Sequence, residues 1–391
     1  MASTASTTFD RVIARSETRP SVPWYIWCAV LAVTSSMIGA HWDISWHSSI
    51  GRDTFWTPAH LAIYMCGVLS GVAFGYLILS TTFIKSSPLR DSSVHIWGFR
   101  GPLGAFIASW GGIAMLTSAP FDDWWHSAYG LDVKIVSPPH IILFLGTYAV
   151  LFGTLVLIAG YANRARGEAR RQGNLLFLYV AGITLIMFFV LIEEYTIRTL
   201  LHSSTPYIAI SLLTPLILAA TARAIGWPFA ATIISAIYTL VVIGFILILP
   251  LFPAEPKLGP VYQHVTQFIP PQFPLLVIVP AFFLDLLWPR LKAWNPWAIA
   301  AISAVVFVAV LLAAEWPFAS FLQAPASRNR FFGTMYFNYA VPSTSYGFRH
   351  LFYTRETALQ FCEGIAIAMG AAFLSFRAGI SRGDWIKSIQ R

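Results

Sequence analysis

Long apolar runs recur along this chain and leave little choice of fold. Each run has about 17 to 25 residues, the length that crosses a bilayer as a helix. Charged residues make up only 11% of the 391 residues, against roughly a quarter in soluble domains. We therefore predict an all-α integral membrane protein with about ten transmembrane helices. The approximate spans are 23–41, 58–84, 101–119, 138–162, 174–193, 206–222, 228–251, 273–288, 297–318 and 356–377.

The Lys and Arg residues predict the orientation of these helices. With a cytoplasmic N-terminus, the segments on that side carry 17 of the 25 Lys and Arg residues, and each carries at least one. This asymmetry follows the positive-inside rule and places both termini in the cytoplasm. It also accounts for the net charge of +8, so no nucleic-acid partner is expected. The three cysteines all fall in apolar segments, which predicts no disulfide framework.

Polar residues are concentrated between the first two spans, at the predicted outer face. The sequence from His41 to His60, HWDISWHSSIGRDTFWTPAH, contains three His and two Asp. Asp43 and His47 are four residues apart, so they share one face of a helix that continues past the first span. His60 follows Pro58, a residue suited to the first turn of the next helix. One carboxylate and two imidazoles are thus expected to converge.

The same pattern occurs again between the third and fourth spans. The sequence FDDWWHSAYGLDVKIVSPPH ends at His140 and lies about 80 residues after the first copy. Six positions correspond in the two copies: Asp43 with Asp122, His47 with His126, Gly51 with Gly130, Asp53 with Asp132, Pro58 with Pro139 or Pro138, and His60 with His140. The N-terminal half is therefore predicted to be an internal repeat of two helix–loop–helix metal-binding units.

Each set of one carboxylate and two imidazoles suits copper, zinc or non-haem iron, with room for water or an exogenous ligand. The tryptophans nearby are more typical of the aromatic belt at a membrane interface. Arg52, Asp53 and Asp132 are interpreted as residues that support the ligands or fix the loops. No catalytic residue beyond the metal sites themselves is identified.

Two further acidic residues lie near membrane depth, where charged side chains are candidates for function. Glu193 and Glu194 end the fifth span and are candidates for further metal ligands or proton-relay groups. The simpler interpretation is an interfacial ion pair with Arg198.

The first motif resembles the signature of the C subunit of the copper membrane monooxygenases, the particulate methane and ammonia monooxygenases. The matching residues are Asp43, Trp46, His47, Arg52, Asp53, Thr54, Thr57, Pro58 and His60. In that family the Asp and two His bind one copper, and a neighbouring site uses an Asn and two His. The second pattern has that spacing, with Asp122 in place of the Asn. The resemblance implies adjacent copper sites over about residues 1–190, with zinc as an alternative occupant.

The remainder of the chain resembles the A subunit of the same family in its order of prolines, apolar runs and loops. We therefore expect a metal-binding transmembrane domain like the C subunit over 1–190 and a transmembrane domain like the A subunit over 200–391, joined as a fusion. The alternative for the second half is an unrelated helical bundle that packs on the first. The family's B subunit, which is largely soluble and binds copper, has no counterpart here.

These features predict a copper-dependent monooxygenase of the bacterial inner membrane that hydroxylates a small apolar substrate or ammonia with O2. The resemblance implies three kinds of partner: a separate cupredoxin protein like the B subunit, an electron donor such as quinol, and further copies of the chain in a homo-oligomer, as a trimer. The alternative is a non-catalytic membrane protein that binds, senses or delivers copper or zinc at the outer face.

Overall fold

The computed structural model describes residues 22–51, 53–130, 137–257, 265–332 and 356–390. These residues form ten α-helices, and nine of them are long and apolar enough to cross a membrane. The chain is therefore an all-α, multi-pass membrane protein, as its apolar runs predict. The helices are α1 (Trp24–Ser49), α2 (Pro58–Phe83), α3 (Leu103–Tyr129), α4 (Pro138–Arg164), α5 (Gly167–Leu191), α6 (Thr205–Ile225), α7 (Ala230–Ile248), α8 (Ile278–Leu291), α9 (Pro296–Gln323) and α10 (Ala358–Ser388).

The eighth helix differs from its predicted span. Helix α8 has only 14 residues, too few to cross a bilayer, and residues 270–277 before it are not helical. Pro270, Pro271 and Pro274 explain the late start, because proline lacks an N–H and disfavours helical backbone in the residue before it. This part of the predicted span is therefore wrong.

Helices α1 and α3 extend beyond their predicted apolar spans. Each extension carries an Asp and a His four residues apart, as the sequence predicts. The glycine after each helix end has a positive φ, 85° at Gly51 and 88° at Gly130, which glycine adopts at little cost. The Gly51 N–H donates to the carbonyl oxygen of Trp46 at 3.1 Å, and the Gly130 N–H donates to that of His126 at 3.0 Å. Both units of the repeat therefore end their first helix beside a glycine with positive φ.

Glycines allow α3 and α4 to pack at very short range. A Cβ atom at Gly111 would lie 2.5 Å from the carbonyl oxygen of Gly146, and one at Gly153 would lie 2.6 Å from that of Gly104. Small residues at helix contacts are a common means of close packing in membranes. The end of α3 and the start of α4, which carry the second motif, are held together by this contact.

The segment before α8 is bound to the end of α1. The Ser45 hydroxyl donates to the carbonyl oxygen of Ile269 at 2.6 Å, and the Ile269 N–H donates to Ser49 Oγ at 2.7 Å. One continuous group of buried apolar side chains also runs through both halves of the described chain. The division into domains 1–190 and 200–391 stays a prediction.

A small hairpin, β1 (Val94–Ile96) with β2 (Phe99–Gly101), lies between α2 and α3.

Candidate metal centres

Two groups of Asp and His side chains lie where α1 meets α2 and where α3 meets α4. Within each group, one possible ligand atom per residue lies within 4.8 Å of the others. Centre 1 consists of Asp43, His47, Asp53 and His60, and centre 2 consists of Asp122, His126 and His140. The structure thus brings together all six residues predicted as ligands, each set across one helix–loop–helix unit.

In centre 1, both imidazoles direct Nε2 toward carboxylates. His60 Nε2 lies 3.1 Å from Asp43 Oδ1 and 3.2 Å from Asp53 Oδ2. His47 Nε2 lies 3.8 Å from Asp43 Oδ2 and 3.4 Å from Asp53 Oδ2. Two carboxylate groups and two ring nitrogens therefore face a common point, a set that suits a divalent cation such as copper or zinc.

The surroundings of centre 1 fit a metal ion. His60 Nδ1 lies 2.9 Å from the carbonyl oxygen of Thr54 and donates to it, so Nε2 is the ring atom that faces the centre and would bind an ion. Asp43 Oδ1 is buried and makes no hydrogen bond of good geometry, although His60 Nε2 is near it. A cation between these atoms would compensate the buried carboxylate.

Asp53 lies inside this group rather than behind it. Its side chain is only 8% exposed. Burial acts to raise the pKa of Asp53, but the His60 hydrogen bond and the His47 charge outweigh it, so the pKa lies below its usual range. The sequence predicts a supporting role for this residue, and the structure places its carboxylate among the predicted ligands. Its match with Asp132 in the repeat was the signal in the sequence that Asp53 belongs with the predicted ligands.

Centre 2 has the same construction with three described residues. Asp122 Oδ2 lies 3.5 Å from His126 Nε2, and Asp122 Oδ1 lies 3.4 Å from His140 Nε2. His126 Nδ1 lies 3.1 Å from the carbonyl oxygen of Gly130, which fixes the ring as Thr54 fixes His60. One carboxylate and two imidazoles fit copper or zinc and leave a position open for another ligand.

A cavity of about 80 Å³ lies between the two centres. Asp53 and His60 line it from centre 1, and Asp122 and His126 line it from centre 2. Thr54, Tyr64 and Asp123 are the other polar residues of its wall. The carboxylates of both centres act electrostatically on the Tyr64 ring hydroxyl. A molecule of a few atoms in this cavity would contact both centres.

The remaining predicted site residues lie elsewhere. Arg52 and Asp132 fall outside the described residues. Glu193 and Glu194 belong to neither group of possible ligands. Arg198 donates to the carbonyl oxygens of Phe273 and Thr196 at 2.6 and 2.7 Å. Among the described residues no ion pair joins Arg198 to either glutamate, so the predicted interfacial ion pair is wrong.

No family model, curated protein or solved structure matches this chain. The resemblance to the C subunit therefore depends on the motif residues alone.

Proposed function

We propose that this chain is a copper monooxygenase of the particulate methane and ammonia monooxygenase type. The observation that carries the proposal is the cavity shared by two Asp–His centres on repeated helix–loop–helix units. We place it in a bacterial inner membrane, with both termini cytoplasmic and both centres near the outer face. The distribution of Lys and Arg supports this orientation.

Bound copper would supply the redox chemistry and the O2-binding position. The balanced reaction takes substrate RH, O2, two electrons and two protons to ROH and water. The side chains of centre 1 and centre 2 would hold the ions, and the backbone carbonyls of Thr54 and Gly130 keep the rings of His60 and His126 oriented. Tyr64 lines the cavity between them, and its hydroxyl would donate a hydrogen bond to a molecule bound there.

An apolar cavity supports a substrate that partitions from the bilayer. It has a volume of about 490 Å³, and its wall is almost entirely apolar, formed by α1, α7 and the segments that follow α7. Trp42 and Trp46 line it and directly precede Asp43 and His47 in the sequence. Apolar substrates would concentrate beside centre 1 in such a cavity. The tryptophans would then have a role beyond that of an aromatic belt.

The reaction needs partners that this chain does not supply. We propose a separate electron donor such as quinol, a cupredoxin protein like the family's B subunit, and association into a homo-oligomer, as a trimer. The support is the resemblance of the first motif and the requirement for two electrons per turnover. Copurification from native membranes would identify each of these partners.

A second function is favoured by the number of groups in centre 1. Its four possible ligands would close a tetrahedral coordination shell, which is typical of sites that hold a metal without reacting. This observation favours a non-catalytic protein that binds, senses or delivers copper or zinc. Centre 2 has three such groups among the described residues.

Metal content and electron paramagnetic resonance of the purified protein test the assignment. We expect copper in wild-type protein, with one signal lost in His47→Ala and a different one lost in His126→Ala. His95→Ala is the matched control, because His95 is exposed on β1 and outside both groups. Copper that both centre variants retain would contradict the sites.

Oxygen consumption then separates the enzyme from the metal carrier. The copper-loaded protein is supplied with a quinol and with short alkanes, alkenes or ammonia. Substrate-dependent consumption supports the monooxygenase. Tight copper or zinc binding without consumption for any of these substrates supports the non-catalytic alternative.

A further inference from the structure

The β1–β2 hairpin lies at the end of α2 that is farther from the metal centres. Helix α2 begins at Pro58, two residues before His60 of centre 1, and ends at Phe83. Its 26 residues rise about 39 Å at 1.5 Å per residue, which is enough to cross the hydrocarbon core. The hairpin therefore belongs to the membrane surface opposite the two centres, which is the cytoplasmic surface in the proposed orientation.

Hydrogen bonds and close packing attach the hairpin to α2. The Arg100 N–H donates to Thr82 Oγ1 at 2.8 Å, and the Arg90 side chain donates to the carbonyl oxygen of Thr82 at 3.0 Å. A Cβ atom at Gly101 would lie 3.1 Å from Ile78 Cγ1, so strand β2 packs directly on the helix. The position of the hairpin is therefore fixed by α2.

The tip of the hairpin has an unfavourable backbone conformation. Trp97 and Gly98 form a two-residue turn between the paired residues Ile96 and Phe99, and both have positive φ, 51° and 85°. Such turns favour Asn-Gly, Asp-Gly or Gly-Gly, because most L side chains adopt positive φ only at a cost. Trp97 is 77% exposed, so contacts within the described chain do little to offset this cost. A strained residue persists where a further contact stabilises it.

The Trp97 side chain is directed along the membrane-facing surface of α3. Its ring meets the Trp110 ring edge to face, with 5.5 Å between the ring centroids. Trp110 is seven residues after Leu103, the first residue of α3, which places it about 10 Å along the helix axis. Trp110 is itself exposed within an apolar span. A tryptophan in this position is typical of the membrane interface.

The two faces of the hairpin have different chemistry. His95 and Arg100 are directly opposite each other, so their side chains share one face, whereas Ile96 and Phe99 share the other. Residues 84–101 carry three cationic side chains and one anionic one. A cationic face beside an apolar tip fits the headgroup layer of anionic phospholipids.

We propose that the β1–β2 hairpin binds an anionic phospholipid in the leaflet opposite the metal centres. Trp97 inserts between lipid chains beside Trp110, and Arg100 contacts the phosphate, with His95 next to it. The backbone of the turn stays in the headgroup layer, because unpaired N–H groups have no partner in the hydrocarbon core. The lipid supplies the contact that the strained turn lacks, and the hairpin in return holds the ends of α2 and α3 at a fixed depth. This lipid site does not depend on the proposed function.

A benzophenone side chain introduced at position 97 tests the identity of the partner. Irradiation in native membranes should give a phospholipid adduct on the hairpin peptide, which mass spectrometry identifies. The same group at position 91, exposed in the loop before β1, is the matched control and should give several-fold less adduct. A cross-link to a second copy of the chain or to another protein, or equal lipid adduct at both positions, overturns the proposal.

Native mass spectrometry with phosphatidylglycerol tests the headgroup. We expect Arg100→Gln to weaken binding at the tightest site about fivefold, because one cationic side chain near an anionic lipid surface is lost. Arg170→Gln is the matched control, since Arg170 is exposed near the start of α5 at the same membrane surface, and it should keep the affinity. Equal affinity in wild type and Arg100→Gln, or an equal loss in both variants, overturns the assigned contact.

The Trp97→Asn variant separates lipid binding from folding. Asparagine adopts positive φ more readily than tryptophan does. We expect weaker phosphatidylglycerol binding, while the unfolding temperature in lipid-free detergent is unchanged or raised. A lower unfolding temperature without lipid would show that the chain itself stabilises Trp97, and unchanged lipid binding would show that Trp97 does not contact the lipid. Either result overturns the proposal.

Discussion

Asp53 Oδ2 lies 3.2 Å from Nε2 of His60, so the loop between α1 and α2 places a second carboxylate in centre 1. The same oxygen lies 3.4 Å from Nε2 of His47. Centre 1 therefore has two carboxylates and two imidazoles, whose charge balances that of a divalent ion. Removing the charge of Asp53 should therefore change the affinity of centre 1 for a divalent ion.

We expect Asp53→Asn to weaken metal binding at centre 1 by at least about 10- to 100-fold, the loss typical when even a residue supporting a ligand is removed. The amide keeps the shape of the carboxylate but removes its charge. Competition with a chelator, followed by metal analysis, measures the affinity. Centre 2 provides the internal control, and equal affinity in wild type and variant would show that Asp53 does not contact the ion.

We expect Gly111→Val to separate α3 from α4 and to cost about 1–3 kcal/mol of stability, because overpacking a close contact forces the backbone apart. His140 would move away from Asp122, so metal should be lost from centre 2 and retained at centre 1. Thermal unfolding and metal content measure both effects. Gly75→Val is the matched control, since a Cβ at Gly75 meets nothing within 4 Å. Equal effects at both positions would contradict the packing argument.

We expect Tyr64→Phe to leave both metals bound and to weaken the binding of a small exogenous ligand such as azide. The ring remains, while the hydroxyl of this cavity-lining residue is lost. Losing one hydrogen bond of this kind corresponds to about 0.5–1.5 kcal/mol. Azide titration of the copper-loaded protein, followed by electron paramagnetic resonance, gives the affinity. An unchanged azide affinity would show that Tyr64 does not contact molecules in the cavity.

We expect Glu193→Gln to flatten the pH dependence of stability in a defined window. Burial raises the pKa of Glu193 above 4.5 in the folded protein, so the folded state binds more protons than the unfolded state. Wild-type stability should therefore fall as pH rises from 4.5 through the raised pKa. The neutral amide has no such loss. Thermal unfolding of wild type, Glu193→Gln and Glu194→Gln over this range tests the sign, and parallel curves would contradict it.

Much of the candidate site could be predicted because its residues obey local spacing. Asp43 and His47 share a helix face whatever surrounds them, and Pro58 marks the helix start that carries His60. The repeat has the same spacing, so it predicts Asp122, His126 and His140 as the second centre by the same argument. The membrane fold followed from apolar runs of bilayer length.

Other features depend on which distant segments meet. The role of Asp53 depends on the path of a loop, and the short helix α8 depends on three prolines within an apolar run. The cavity between the centres needs α2 and α3 to pack side by side.

The sequence by itself determined the apolar spans, the repeat and the two ligand sets, because helical periodicity and residue chemistry act over a few residues. Only the tertiary structure decided that both centres face one cavity. Burial and the balance of charge depend on how distant helices pack, so no local sequence pattern predicts them.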